Sequence, residues 1–340
     1  MALGTNHQTV TTTANFIPEI WSDETIALYK QNLVLGNLVT KYPFKGKKGD
    51  TLNIPVPARG SATAKAANTV VAFVADTAGV VQVVVNKHFE YSYMFEDIAE
   101  AQAMSSMRKF YTDAAGYGLA KKVDQDLHLL GATFNGGSLS GTGTTSYEKA
   151  VLGGDGTTLF SGATPGNGTA LTDAGIRRMI QTLEDSDVNS SELKLIIPPV
   201  EANVLRGIAR FTEQAFVGSG DAIKTGKLGM LYGVEVFHST NCPWVQVDSG
   251  TSTQAVKFTS TAHTTGVDEL GETVTVSGTM TNYRAGLLLH KDAMCHAEQI
   301  AIRTQAQYKV EYLGTAVVSD TVYGVKELRD YAALSFIVPA

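Results

Sequence analysis

One stretch constrains the fold more than any other: Ser105 to Leu130 reads as a single helix of about 26 residues, roughly 39 Å long. That is more than twice the usual helix length. In its first half Met107, Phe110, Tyr111, Ala114, Ala115 and Gly118 share one face, with Arg108, Lys109, Thr112 and Asp113 opposite. In the second half the apolar stripe of Leu119, Val123, Leu127 and Leu130 lies almost half a turn away, and Lys121, Lys122, Gln125 and Asp126 occupy the vacated side. The change falls at Gly116-Tyr117-Gly118. Glycine inside a helix costs about 1 kcal/mol against alanine, so the pair implies a break or the close passage of another element. The spacing favours one unbroken helix that meets different layers along its length, as a spine would. A spine suits an extended, plate-like protein better than a compact enzyme.

A chain of 340 residues can bury a sizeable core around such a helix, in one large or two ordinary domains. The net charge of -6 gives no nucleic-acid-binding surface. Two cysteines, Cys242 and Cys295, are too few for a disulfide framework and fit a reducing cytoplasm. The first 20 residues lack a basic start and an apolar core, and no run of 18 apolar residues occurs, so neither signal peptide nor membrane span is expected.

Met1 to Asn15 is polar, Thr-rich and without period, an extended arm rather than a packed element. A helix is expected from about Ser22 to Val39, capped by Ser22 or Asp23, with Ile26, Tyr29, Leu33 and Gly36 along one side. Four β-rich stretches follow: Thr51 to Val56, Val70 to Val74, Val80 to Val85 and His88 to Phe95. The last alternates strictly, with Phe89, Tyr91, Tyr93 and Phe95 on one side. Between the first two lies a weak tip, Ala58 to Asn68, small and polar, carrying only Arg59 and Lys65 as charges. A two-stranded excursion is marginal alone and presents unpaired edges, so it needs something to lie against. It either folds back on its own domain or pairs with an adjacent subunit, and the tip favours the second.

This order of elements, together with Met94-Phe95-Glu96-Asp97-Ile98-Ala99-Glu100-Ala101 leading into the spine, resembles tailed-phage major capsid proteins of the Hong Kong 97-type fold. The resemblance continues at Leu193 to Pro199, at Leu228-Gly229 with Tyr232 to Val236, and at Val322 to Arg329. It implies an α+β fold with an N-terminal arm, an extended β-hairpin (E-loop), a peripheral domain carrying the spine helix, and an α/β axial domain. On that pattern the arm spans 1–21, the N-terminal helix region 22–50, the E-loop 51–95, and the peripheral domain with a Gly-rich connection 96–171. The axial domain with a β insertion spans 172–290, and the return strands of the peripheral domain 291–340.

The remaining residues agree with such an insertion. Gly131 to Leu171 is rich in Gly, Thr and Ser, a long connection. Thr172 caps a helix with Ile176, Met179, Ile180 and Leu183 at buried spacing, and the apolar strand Leu193 to Ile197 follows. Pro199 opens a helix with Val200, Val204, Leu205 and Ile208 as its inner face, ahead of a strand at Val234 to Phe237. Gln254 to Thr281 reads as a polar β insertion. Ala297 to Val310 and Ala316 to Val322 read as strands returning to the spine, and Ala332 to Val338 as a terminal strand.

Catalytic patterns are weak. Gly220 to Lys227 imitates a phosphate loop but has one residue too many between its glycines, and Leu228 stands where Ser or Thr is required. His290, Cys295 and His296 lack a second pair at zinc-finger spacing and read as structural. His88 and His128 read as surface positions, and Glu96, Asp97 and Glu100 as acids favouring a helix start. No catalytic residue, metal or cofactor is expected. The candidate inter-subunit contacts are Arg59 and Lys65 on the tip and the glycine-flanked Lys45, Lys47 and Lys48.

The resemblance implies a major head protein forming pentamers and hexamers of an icosahedral shell around double-stranded DNA, assembled in the host cytoplasm. Its partners would be other copies of itself, a separately encoded scaffolding protein, a portal protein and a decoration protein, with no membrane. Acidity suits that role, because an inner wall gripping phosphates would impede genome packing and ejection. Two other readings stay open: an encapsulin-like compartment of the same fold, and an oligomeric enzyme. Some relatives join a hairpin lysine to a late asparagine. Lys65 is available here but no asparagine follows Asn282, so a shell without covalent cross-links is expected.

Overall fold

The computed structural model describes residues 33–43, 49–56, 60, 62–71, 73, 79–97, 107–132, 134, 151–156, 168–208, 229–248, 256–259 and 280–340. The polar arm, the helix expected from Ser22 as far as residue 32, and the phosphate-loop imitation lie outside these residues, as do most of the Gly-rich connection and the β insertion. Helix α1 (Leu35–Leu38) is a single turn, followed by an unanticipated strand β1 (Thr40–Pro43).

The spine is helix α2 (Met107–Gly131), 25 residues without a break. A Cβ built at Gly116 or Gly118 meets nothing within 4 Å, so neither a break nor a close neighbour among the described residues explains these glycines. Ala115, Leu119 and Leu127 are buried as their stripe predicts, but so are Asp124, Asp126 and His128. The expectation that Asp126 and His128 face solvent is therefore corrected. The second half of α2 is enclosed on more than one side, with β12 and β13 against it, α1 beside it, and Leu127 in the main core.

A four-stranded sheet lies along the spine in the order β1-β12-β13-β4. Its centre is a long hairpin of β12 (Met294–Lys309) and β13 (Gly314–Glu327). Strand β4 (Lys87–Glu96) runs antiparallel to β13, from Tyr323 opposite Lys87 to Gly314 opposite Glu96. The excursion expected to leave the body over residues 51–95 thus returns to it at Lys87. The alternation of β4 explains this: its aromatic side meets the spine, with the Tyr93 and Phe95 rings 5.7 and 5.5 Å from Tyr111. The Tyr93 and Thr112 hydroxyls also hydrogen-bond at 2.9 Å.

What does project is the hairpin of β2 (Thr51–Val56) and β3 (Gly79–Val84), a separate two-stranded sheet. Val70, Val71 and Phe73, expected in a strand, are in none. Strand propensity reflects fit to a pleated, half-buried surface, and none of the described residues supplies one there.

A second sheet of eight strands carries the main core, in the order β10-β9-β11-β6-β8-β7 with β14 on β11 and β5 on β14. These are β5 (Val151–Gly153), β6 (Leu193–Ile197), β7 (Met230–Leu231), β8 (Val234–His238), β9 (Trp244–Asp248), β10 (Val256–Thr259), β11 (Met280–His290) and β14 (Ala333–Pro339). Helix α3 (Asp173–Glu184) is capped by Thr172, whose Oγ1 accepts from the Gly175 N–H at 3.0 Å. Its face of Ile176, Met179, Ile180 and Leu183 is buried as predicted. Gly156, at φ +72°, lets the loop after β5 lie on the first turn of α3, where any side chain would strike the Gly175 backbone. In helix α4 (Pro199–Arg206) Leu205 is buried as expected, but the expected inner residue Val200 is exposed, and Glu201 and Ala202 are buried in its place.

Candidate assembly surface

The projecting hairpin is rooted firmly and tipped loosely. At its root Val83 and Val85 form a small core with Cys295 and Ala297, against which Tyr42, Leu52, Ile54, Val322 and Leu328 pack. The Val85 N–H donates to the Asp50 carbonyl at 2.8 Å, closing the base. Strand β13 passes so near that a Cβ at Gly324 would collide with the Val84 carbonyl. Lys87, where the chain re-enters the body, donates to the buried Asp126 carboxylate at 2.7 Å. That carboxylate also accepts from Tyr323 Oη at 2.8 Å and pairs with Lys122 at 3.3 Å. Burial first, then the Asp126 charge, pushes the Tyr323 phenol up, so it remains a donor.

Beyond the root the picture reverses. Residues 62–66 are exposed and without regular structure, and Lys65 is among them. Val70 and Phe73 are 93 and 96% exposed, and Val71 and Val80 are also open. Such side chains are covered by none of the described residues of their own subunit. At the far end of the first sheet, the turn between β12 and β13 exposes Val310, Tyr312 and Leu313. This turn is held in place by Tyr308 Oη, which donates to Asp97 Oδ2 at 2.8 Å. Nearby, Arg303 donates to both Asp320 oxygens at 2.8 and 3.0 Å, holding that carboxyl below the usual range.

Of the candidate contact residues, Lys65 stands exposed on the hairpin, while Arg59, Lys45, Lys47 and Lys48 lie outside the described residues. The apolar trio Val70, Val71 and Phe73 was not singled out as a contact; its signal was an apolar run beside a tip that offers it no partner.

The chemistry of the histidines and cysteines is structural. His290 Nδ1 accepts from the Asp292 N–H at 3.2 Å, capping a short turn. Burial pushes the Cys295 thiol up to about 11 and Cys242 to about 12, leaving both as unreactive thiols. Among the described residues no group of three potential metal ligands forms, and no helix is long and apolar enough to cross a membrane. The arrangement offers exposed apolar edges on rigid supports, which is the equipment of a surface that binds protein.

No family model matches the chain, and no curated protein sequence does. Among solved structures it is similar to a "Mycobacterium phage Che8" chain at 19% identity and a TM-score of 0.65, covering 95% of this chain and 97% of that one. It is similar to a chain in the capsid structure of the cyanophage P-SCSP1u at 16% identity and a TM-score of 0.68, covering 99% and 96%. It also resembles a chain of the acidic stable capsid structure of Helicobacter pylori bacteriophage KHP30 at 12% identity and a TM-score of 0.65, each chain covered completely. Likeness over whole chains at such identity shows the fold: α+β, of the Hong Kong 97 type found in phage capsids.

Proposed function

We propose that this chain is the major capsid subunit of a tailed phage, assembling through its hairpin and sheet edges into pentamers and hexamers of an icosahedral shell around double-stranded DNA. The observation that carries the reading is the near-complete exposure of Val70 and Phe73 on a hairpin whose root is locked to the body. An apolar tip on a fixed support gains stability when a neighbouring copy covers it, at roughly 25 cal/mol per Å² removed from water. The exposed Val310, Tyr312 and Leu313 at the far end of the first sheet supply a second such contact.

In this reading Lys65, Arg59, Lys45, Lys47 and Lys48 lie at subunit boundaries, where exposed ion pairs add under about 1 kcal/mol each but recur in every copy. The spine and the β12–β13 hairpin of the first sheet belong to the peripheral domain (96–171 and 291–340), and α3, α4 and the strands within 172–290 to the axial domain, whose sheet β5 and β14 of the peripheral segments extend. The shell lies in the virion and is assembled in the host cytoplasm, with scaffolding, portal and decoration proteins as partners. The subunit acts structurally, without an active site. Sedimentation of expressed protein, alone and with its scaffolding partner, tests this: particles hundreds of ångströms wide are expected, and a stable monomer under all conditions would contradict it.

A further inference from the structure

The spine carries a buried polar joint that the shell role does not call for. Asp124 on α2 receives the Gly36 N–H from α1 on Oδ1 at 3.2 Å and Asn241 Nδ2 from the loop after β8 on Oδ2 at 2.8 Å. One carboxylate therefore ties the N-terminal segment, the spine and the second sheet together. One turn on, His128 is 3% exposed, and its Nδ1 lies 2.8 Å from the Asp124 carbonyl oxygen, to which its N–H donates. This fixes the neutral tautomer and leaves Nε2 as the unprotonated atom. Among the described residues that buried Nε2 has no hydrogen-bond partner.

A proton arriving at Nε2 would find no acceptor, and buried unsatisfied donors are costly, charged ones more so. The groups acting on the ring are Asp124 from its own helix, which favours the charged form, and Arg284 from β11, which opposes it. The Cys242 thiol, facing Asp124 and Arg284 from the loop after β8, stays neutral, and α1 contributes only the Gly36 amide. Arg284 itself is anchored, donating to the Thr240 carbonyl at 3.1 Å and stacking 4.3 Å over the Trp244 ring. A cavity of about 350 Å³ adjoins the joint on the Asp124 side, lined by Gly36, Val123 and Asp124 with the titratable Lys41, His296 and Glu298.

We propose that His128 is an acid-sensitive latch: protonation at Nε2 opens the joint through which Asp124 holds α1 and the loop at Ser239–Cys242 against the spine. Burial holds the histidine below its ordinary value in the folded chain. The native state therefore binds fewer protons than the unfolded one, so the stability is fully present above the ordinary value of about 6.5 and is lost as pH falls below it. The latch operates in the free subunit and in any assembly alike.

Hydrogen exchange of the purified chain, corrected for intrinsic rates, tests the latch. Backbone protection at residues 34–38 and 239–243 should fall about tenfold or more between about pH 7.5 and about pH 5, and should stay level in His128→Gln. Should that variant misfold, Arg284→Gln serves instead, since removing the opposing charge brings the folded-state value closer to the ordinary one and should make the acid-induced loss smaller. Protection independent of pH in the unaltered chain, an equal loss in His128→Gln, or an undiminished loss in Arg284→Gln would overturn the proposal. So would a histidine ring signal that titrates without any change in protection at these residues.

Discussion

Gly324 illustrates how single residues set the angle of the hairpin. Replacing it with alanine forces a methyl group against the Val84 carbonyl, backbone that cannot rotate away. Overpacking of this kind costs on the order of 1–3 kcal/mol. Chemical denaturation of Gly324→Ala should register it, with exchange accelerated first at Val83 and Val85. Asp126→Asn should cost about 2 kcal/mol, between exposed and fully buried ion pairs, because Lys87 and Lys122 keep part of their surface in water. A thermal unfolding shift indistinguishable from zero would show that Asp126 does not brace the hairpin root. At this scale the sequence was least legible. Asp126 and His128 read as surface because helical periodicity assumes one wet side, whereas α2 is enclosed by a sheet and a core together. Glu201 was missed for a related reason: its Oε2 accepts the Leu171 N–H at 2.8 Å, a bond across 30 residues that no local pattern announces.

Among the elements, the spine was readable almost to its ends, because 25 residues of helical spacing outweigh two glycines. Those glycines now yield a prediction. With nothing within 4 Å of an added Cβ, Gly116→Ala and Gly118→Ala should each stabilise the unassembled subunit by about 1 kcal/mol, read from denaturant midpoints. The excursion was half legible. Its rooted strands followed from composition, but β4 was assigned to the projection because alternation shows that one face is buried without showing against what. Deleting residues 60–67 removes chain whose described residues are all exposed. The helical circular dichroism should remain nearly unchanged while closed-shell formation falls sharply; unfolding of the monomer would place the tip in its own core instead.

The whole molecule was legible through the order of its parts rather than through any invariant residue, which is how a fold persists at 12 to 19% identity. Arm, excursion, aromatic strand and spine, then an α/β layer and long return strands, admit few arrangements once the return strands must pair beside the spine. An interface between copies leaves no periodic trace in a single chain, so its contact residues do not follow from spacing. Without an asparagine after Asn282, assembled material boiled in detergent should run as monomer, and a ladder of multimers would reveal cross-links of another kind. The central claim, that the exposed hairpin is completed by a neighbouring copy, is tested most directly by cryo-electron microscopy of the assembled protein. The account predicts closed shells in which Val70, Val71 and Phe73 of each copy are buried against the adjacent subunit. Shells in which those three side chains remain in solvent, or a protein that stays monomeric at every concentration, would contradict it.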